Sequence, residues 1–132
     1  MAQEQVLNNQ GIVEANLLLM GSTATKIASI SLIKTACSAA TASAYANYTQ
    51  ATEAGCVVTA IATITASSDS FSGDTIHILH VFTAGTAATI KGHLIANTDK
   101  TDLYSVCCYA GDIALESADT VTINHKIRGK NG

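Results

Sequence analysis

Residues 56–83 read CVVTAIATITASSDSFSGDTIHILHVFT, and this stretch decides the fold. Cys56–Ala66 alternates as an extended chain does, with Val57, Thr59 and Ile61 on one side and Val58, Ala60, Ala62 and Ile64 on the other. Ser67–Asp74 then gathers Ser, Asp and Gly, the residues that stabilise turns through local side-chain bonds or a permissive backbone. Thr75–Thr83 resumes as a β-branched strand, apolar on both faces.

The same alternation of strand and turn continues downstream. Ala84-Gly85-Thr86 is a turn, Ala88–Ala96 a strand and Asn97–Lys100 a polar turn. Thr101–Tyr109 and Thr120–Arg128 follow as strands, separated by Gly111–Asp119. Upstream, Lys26–Lys34 places Ala28, Ile30 and Leu32 opposite Ser29 and Ser31, while 35–55 has no clean period and reads as loop mixed with irregular strand. Helical spacing is confined to the front. Asn8 or Asn9 can cap a helix from Gln10 to Met20, Val13, Leu17 and Met20 share one face, and Gly21 supplies a left-handed stop. Gly11 weakens its first turn. Short strands at regular spacing predict a mainly β chain: an antiparallel β-sandwich or jelly-roll-like barrel with one short N-terminal helix, as a single domain over 1–132.

Composition narrows what such a domain can do. The chain has 132 residues, 48% of them hydrophobic but only 13% charged, with no Pro and no Trp. That charge fraction is roughly half the ordinary share, the reverse of a disordered chain. The net charge of -3 excludes wholesale coating of nucleic acid. Apolar runs such as Leu17–Met20 and Cys56–Ile61 are far shorter than a membrane-spanning helix, so no membrane is expected. Glu14 and Asn16 interrupt the first apolar segment, which therefore does not read as a secretory signal. Without one, Cys37, Cys56, Cys107 and Cys108 are expected as reduced thiols, with the adjacent pair pointing to opposite faces of a strand.

Chemistry-bearing patterns are sparse. His77 and His80 fall on opposite faces, and His125 shares its face with Val121, Ile123 and Ile127, so the histidines, His93 included, read as packed or interface residues and no metal is expected. Asp69, Asp74, Asp99, Asp112 and Asp119 all sit in predicted turns. There is no Gly-x-Ser-x-Gly elbow and no phosphate-cradling glycine loop ahead of Lys-Ser or Lys-Thr, so neither catalysis nor a cofactor is expected. Lys126, Arg128 and Lys130 form a local basic cluster on one face of the last strand.

Three stretches carry a family likeness: Asp74–Thr83 (DTIHILHVFT), Ala88–Ala96 (ATIKGHLIA) and Leu115–Ile127 (LESADTVTINHKI). With Asp74, Thr75, His80, Phe82 and Thr83 in the first and Asp119, Thr120, Ile123, Lys126 and Ile127 in the last, the chain resembles small virion proteins of tailed bacteriophages, head-associated or tail-fibre. Asn9, Gly11 and Leu17-Leu18 are similar to the opening helix of that group. Ser117-Ala118-Asp119 departs from its glycine-containing closing turn, and His93 and Cys107-Cys108 are unusual for it. The resemblance implies a structural role on the virion, assembled in the host cytoplasm. The leading expectation is a capsid decoration (cement) protein whose partners are the major capsid protein and copies of itself, as a trimer or dimer. The alternative is a tail or head-fibre component that binds a host surface ligand. Low charge, abundant Ala, Thr and Ser, and the lack of Pro fit strand surfaces that an assembly covers. Met1–Leu7 and Lys126–Gly132 are the expected arms, with Val6, Leu7, Lys126, Arg128 and Lys130 as the interface residues.

Overall fold

Two antiparallel sheets face each other across an apolar core. The computed structural model describes residues 4–21, 26–56, 63–67 and 75–128. Among these, the elements run β1 (Glu4–Leu7), α1 (Asn9–Leu19), β2 (Ser29–Ile33), β3 (Thr63–Ser67), β4 (Thr75–Thr83), β5 (Ala88–Ala96), β6 (Leu103–Leu115) and β7 (Thr120–Arg128), with a short 3-10 helix at Tyr45–Asn47. The larger sheet has the order β1-β6-β5-β2 and the smaller β3-β4-β7. Among the described residues no sheet closes on itself, so the architecture is the open sandwich rather than the barrel.

Alternation explains which residues meet. Ile30 and Leu32 of β2, Ile90 and Ile95 of β5, and Tyr104 and Leu115 of β6 are buried against Ile78 and Phe82 of β4 and Ile123 of β7. The opposite face of the larger sheet buries Ile33, Leu94, Ala96, Leu103, Val106 and Cys108. Residues 34–51 cover that face, and Tyr45 and Tyr48 fill it. The Tyr45 hydroxyl and the Ser31 hydroxyl share a bond of 2.8 Å, which satisfies two buried polar groups together. This segment, expected as loop with irregular strand, is tied to the β2 edge through Ala51 N–H to the Leu32 carbonyl and a single bridge between Ile33 and Gln50.

Three strands keep their expected limits: Thr75–Thr83, Ala88–Ala96 and Thr120–Arg128. Others move. β6 runs to Leu115 rather than stopping at Tyr109, because after a register break its second half pairs Ile113 with Ile90 and Leu115 with Ala88. The strand expected from Lys26 begins only at Ser29, although Ala28 N–H still donates to the Ala96 carbonyl. Cys56 lies in a turn, with β3 starting at Thr63; the rest of the strand expected over Cys56–Ala66 falls outside the described residues, as do 68–74 of the expected turn.

α1 starts one residue early, and Gly21 at φ 73° ends it as expected. Asn8 is spent elsewhere: its side-chain amide donates to the carbonyls of Ala40 and Ser43, anchoring the 40–43 loop instead of capping the helix. Gly11 has a positive use. A Cβ there would stand 2.9 Å from the Tyr104 carbonyl oxygen, so only glycine lets α1 lie this close to β6.

The expectation of four reduced thiols is overturned. Cys37 and Cys108 form a disulfide across 71 positions with Cα atoms 5.5 Å apart. The face alternation of the adjacent pair holds: Cys107 is a buried thiol outside any disulfide, opposite His93 on the side that faces the second sheet, and Cys108 points to the face that 34–51 covers. The pairing depends on that cover folding back over β6, which no local spacing announces.

Candidate functional site

Two histidines on opposite sheets meet in the core. On β5, residues alternate so that His93 and Ile95 face the second sheet while Leu94 and Ala96 face away. On β7, Ile123 and His125 point inward while Thr122, Asn124 and Lys126 stay exposed. His93 Nε2 and His125 Nδ1 therefore lie 2.7 Å apart, and the Tyr109 hydroxyl of β6 lies 2.8 Å from His93 Nδ1. One proton occupies each gap. Either Tyr109 donates to His93 and His93 to His125, or the direction of both bonds is reversed.

Burial sets the charge state of this chain of groups. Burial, and secondarily the neighbouring His125, pushes His93 down to about 3. Burial pushes His125 down to about 4. Burial and then Cys107 raise the Tyr109 hydroxyl well above its ordinary range. All three groups are thus neutral near pH 7. A single added proton can be shared, but two would set N–H against N–H across the His93–His125 gap and break the bond.

Beside these groups the sandwich opens into a cleft of about 340 Å³ lined by His93, Tyr109, Ile113, Val121, Thr122, Ile123 and Asn124. Its walls are mainly apolar, and the Tyr109–His93 bond forms a polar floor. No known protein family, curated protein or solved structure matches the chain. The arrangement of side chains therefore carries the functional reading.

His77 and His80 point to opposite faces of β4. His80 packs edge-on against Phe82 with ring centroids 4.6 Å apart, and burial lowers its basicity. His77 shares a hydrogen bond with Asn124 on the outer face of the sheet. Among the described residues no group of three or more His, Cys, Asp or Glu side chains could hold a metal ion, and no helix is long and apolar enough to cross a membrane.

The expected interface residues are not brought together. Val6 and Leu7 sit on β1 opposite Val106 and Ser105, and the Val6 carbonyl accepts a bond of 2.7 Å from the Ser105 hydroxyl. Lys126 and Arg128 sit on β7 opposite His77 and Thr75. Lys130 lies outside the described residues. The described parts of the two expected arms do not project: 4–7 and 126–128 are strands, because the neighbouring strand offers each a row of backbone partners. Among the described residues each is the outermost strand of its sheet.

The Tyr109–His93–His125 chain was missed by reasoning strand by strand, since 32 positions separate the two histidines. A signal existed. Each histidine sits among apolar residues on a strand, which marks a buried polar group that must find another.

Proposed function

We propose that the chain is a structural protein of a bacteriophage virion, a decoration protein that oligomerises on the head and reinforces contacts between capsomers. The supporting observation is the outer side of α1. Ile12 and Leu19 lie two turns apart on one strip, with Val13 and Met20 beside them, and all four are exposed, Leu19 by 87% and Met20 by 75%. The helix meets the sandwich through buried Gly11, so its apolar strip faces outward where a free surface helix would carry charge. Four exposed large apolar side chains on one helix and its end, interrupted only by Asn16 and Ala15, suit a surface that another protein covers. The major capsid protein is the proposed occupant, and the reading assigns the chain no reaction and no cofactor.

Quantitative mass spectrometry of purified particles tests the proposal. Hundreds of copies per head, with binding to stripped heads lost in Ile12→Asp/Leu19→Asp, is the expected result. Absence from the head overturns it.

A second reading is favoured by the cleft beside Tyr109, whose apolar walls and polar floor suit a small ligand. On that reading the chain belongs to a tail or head fibre, only a handful of copies occur per particle, and a glycan array gives a specific signal that Val121→Trp abolishes.

A further inference from the structure

The sandwich stands open at one point, and the opening leads to the buried histidines. From Ile90 to Gly92 β5 advances two positions, while its partner β6 advances five, from Cys108 to Ile113. The surplus bulges out as Ala110, Gly111 and Asp112, all exposed. Bulges of this kind re-aim side chains and gather beside functional sites. Tyr109 and Ile113 flank this one. With Val121 of β7 they pack against the core between the sheets, yet all three stay part-exposed, and they form one side of the cleft of about 340 Å³.

The lining selects what can enter. Ile113, Val121 and Ile123 make the walls aliphatic, and among the described residues no Lys, Arg, Asp or Glu lines the cleft. Lys91 and Asp112, the charges beside the bulge, are paired with each other at 2.7 Å. An ion entering the cleft would lose its water and meet no opposite charge. At the floor, the Tyr109 hydroxyl is bonded to His93 Nδ1 at 2.8 Å. A phenol both donates and accepts, so that bond leaves it capacity for a second partner.

The direction of that capacity is set by the two histidines. When Tyr109 donates to His93, its oxygen accepts from a ligand hydroxyl. When the bonds run from His125 through His93 to Tyr109, the phenol proton meets a ligand carbonyl instead. We propose that the cleft binds a small neutral molecule with an aliphatic body and one hydroxyl or carbonyl oxygen, which meets the Tyr109 hydroxyl. The volume agrees with a small body, near the lower end of the roughly 300–1,000 Å³ of ligand sites. The inference rests on the second reading above only in that the cleft admits a ligand, and takes nothing from the virion reading.

Titration of the ¹⁵N-labelled full chain, followed by amide chemical shifts near pH 7, is the test. Cyclohexanol and cyclohexanone are expected to give saturable shifts of similar affinity around Tyr109, Ile113 and Val121, and cyclohexanecarboxylate none. Tyr109→Phe should weaken both neutral probes by about tenfold, the worth of one hydrogen bond. Val121→Trp, a change at a part-exposed wall, should abolish binding by filling the cleft, while circular dichroism shows both variants folded. No saturable shift with either neutral probe overturns the inference, as does equal binding of the carboxylate or binding indifferent to Val121→Trp. A glycan-array signal lost in Val121→Trp, without cyclohexanol binding, overturns it too but leaves the second reading standing.

Discussion

His93 Nε2 and His125 Nδ1 lie 2.7 Å apart and join the two sheets through the core. Both rings are buried and both are held neutral, and the bond survives one added proton but not two.

Acid should therefore loosen the sandwich. The two histidines titrate at about 3 and about 4 when folded, below the ordinary value of 6.5, so the unfolded chain binds protons first. Their contribution is complete above pH 6.5 and is lost as pH falls toward 4 and then 3. Between those limits each proton taken up costs about 1.4 kcal/mol per pH unit. Urea midpoints measured from pH 8 to pH 4 should be flat at the alkaline end and fall below pH 6.5. His125→Gln, which can still bond to His93, should reduce that acid slope by up to one proton.

Removing the phenol exposes the dependence of His93 on its second partner. Tyr109→Phe leaves the Nδ1 of the buried His93 ring without the bond of 2.8 Å. The loss should be about 1–3 kcal/mol by equilibrium unfolding, the penalty of an unsatisfied buried polar atom. Exchange of Tyr109 for Phe at no measurable cost would mean that water reaches the floor of the cleft.

The Cys37–Cys108 bridge fastens the 34–51 cover to β6. It closes a loop of 71 positions, for which chain entropy predicts a stabilisation of about 4 kcal/mol. Reduction, or Cys37→Ser/Cys108→Ser, should lower the unfolding midpoint accordingly and speed amide exchange across 34–51 while β4–β7 stays protected. Peptide mapping should recover Cys37 linked to Cys108. Cys56 and Cys107 should be alkylated only after unfolding, since both thiols are buried.

Gly92 lets β5 lie close against β6. A Cβ there would lie 2.4 Å from the Cys107 carbonyl oxygen, and the obstacle is backbone rather than a flexible side chain. Gly92→Ala should cost about 2 kcal/mol or more. Hydrogen exchange should show the loss concentrated where β5 and β6 change register, between Ile90 and Gly92.

Several elements were legible because the chain states them locally. Thr75–Thr83 and Ala88–Ala96 are flanked by residues that terminate strands, so their limits matched residue for residue. His77 and His80 parted to opposite faces because a strand has a period of two. β6 was read too short for the complementary reason: Gly111 and Asp112 look like a turn, but the strand resumes pairing with β5 beyond them, and the Lys91–Asp112 ion pair at 2.7 Å lies beside the irregularity.

By itself the sequence determined the class of structure: strands of period two, a short leading helix with its glycine stop, and too little charge to be disordered. Local backbone preference and side-chain alternation suffice for that, since each acts over a few residues. Only the tertiary structure decided that Cys37 reaches Cys108, that His93 finds His125, and that Asn8 anchors a loop 32 positions away. It also placed β1 and β7 outermost in their sheets among the described residues and left Ile12, Val13, Leu19 and Met20 of α1 and its end facing outward. These outcomes depend on which surfaces meet when the sheets close, and a contact between distant segments leaves no period in the chain that makes it.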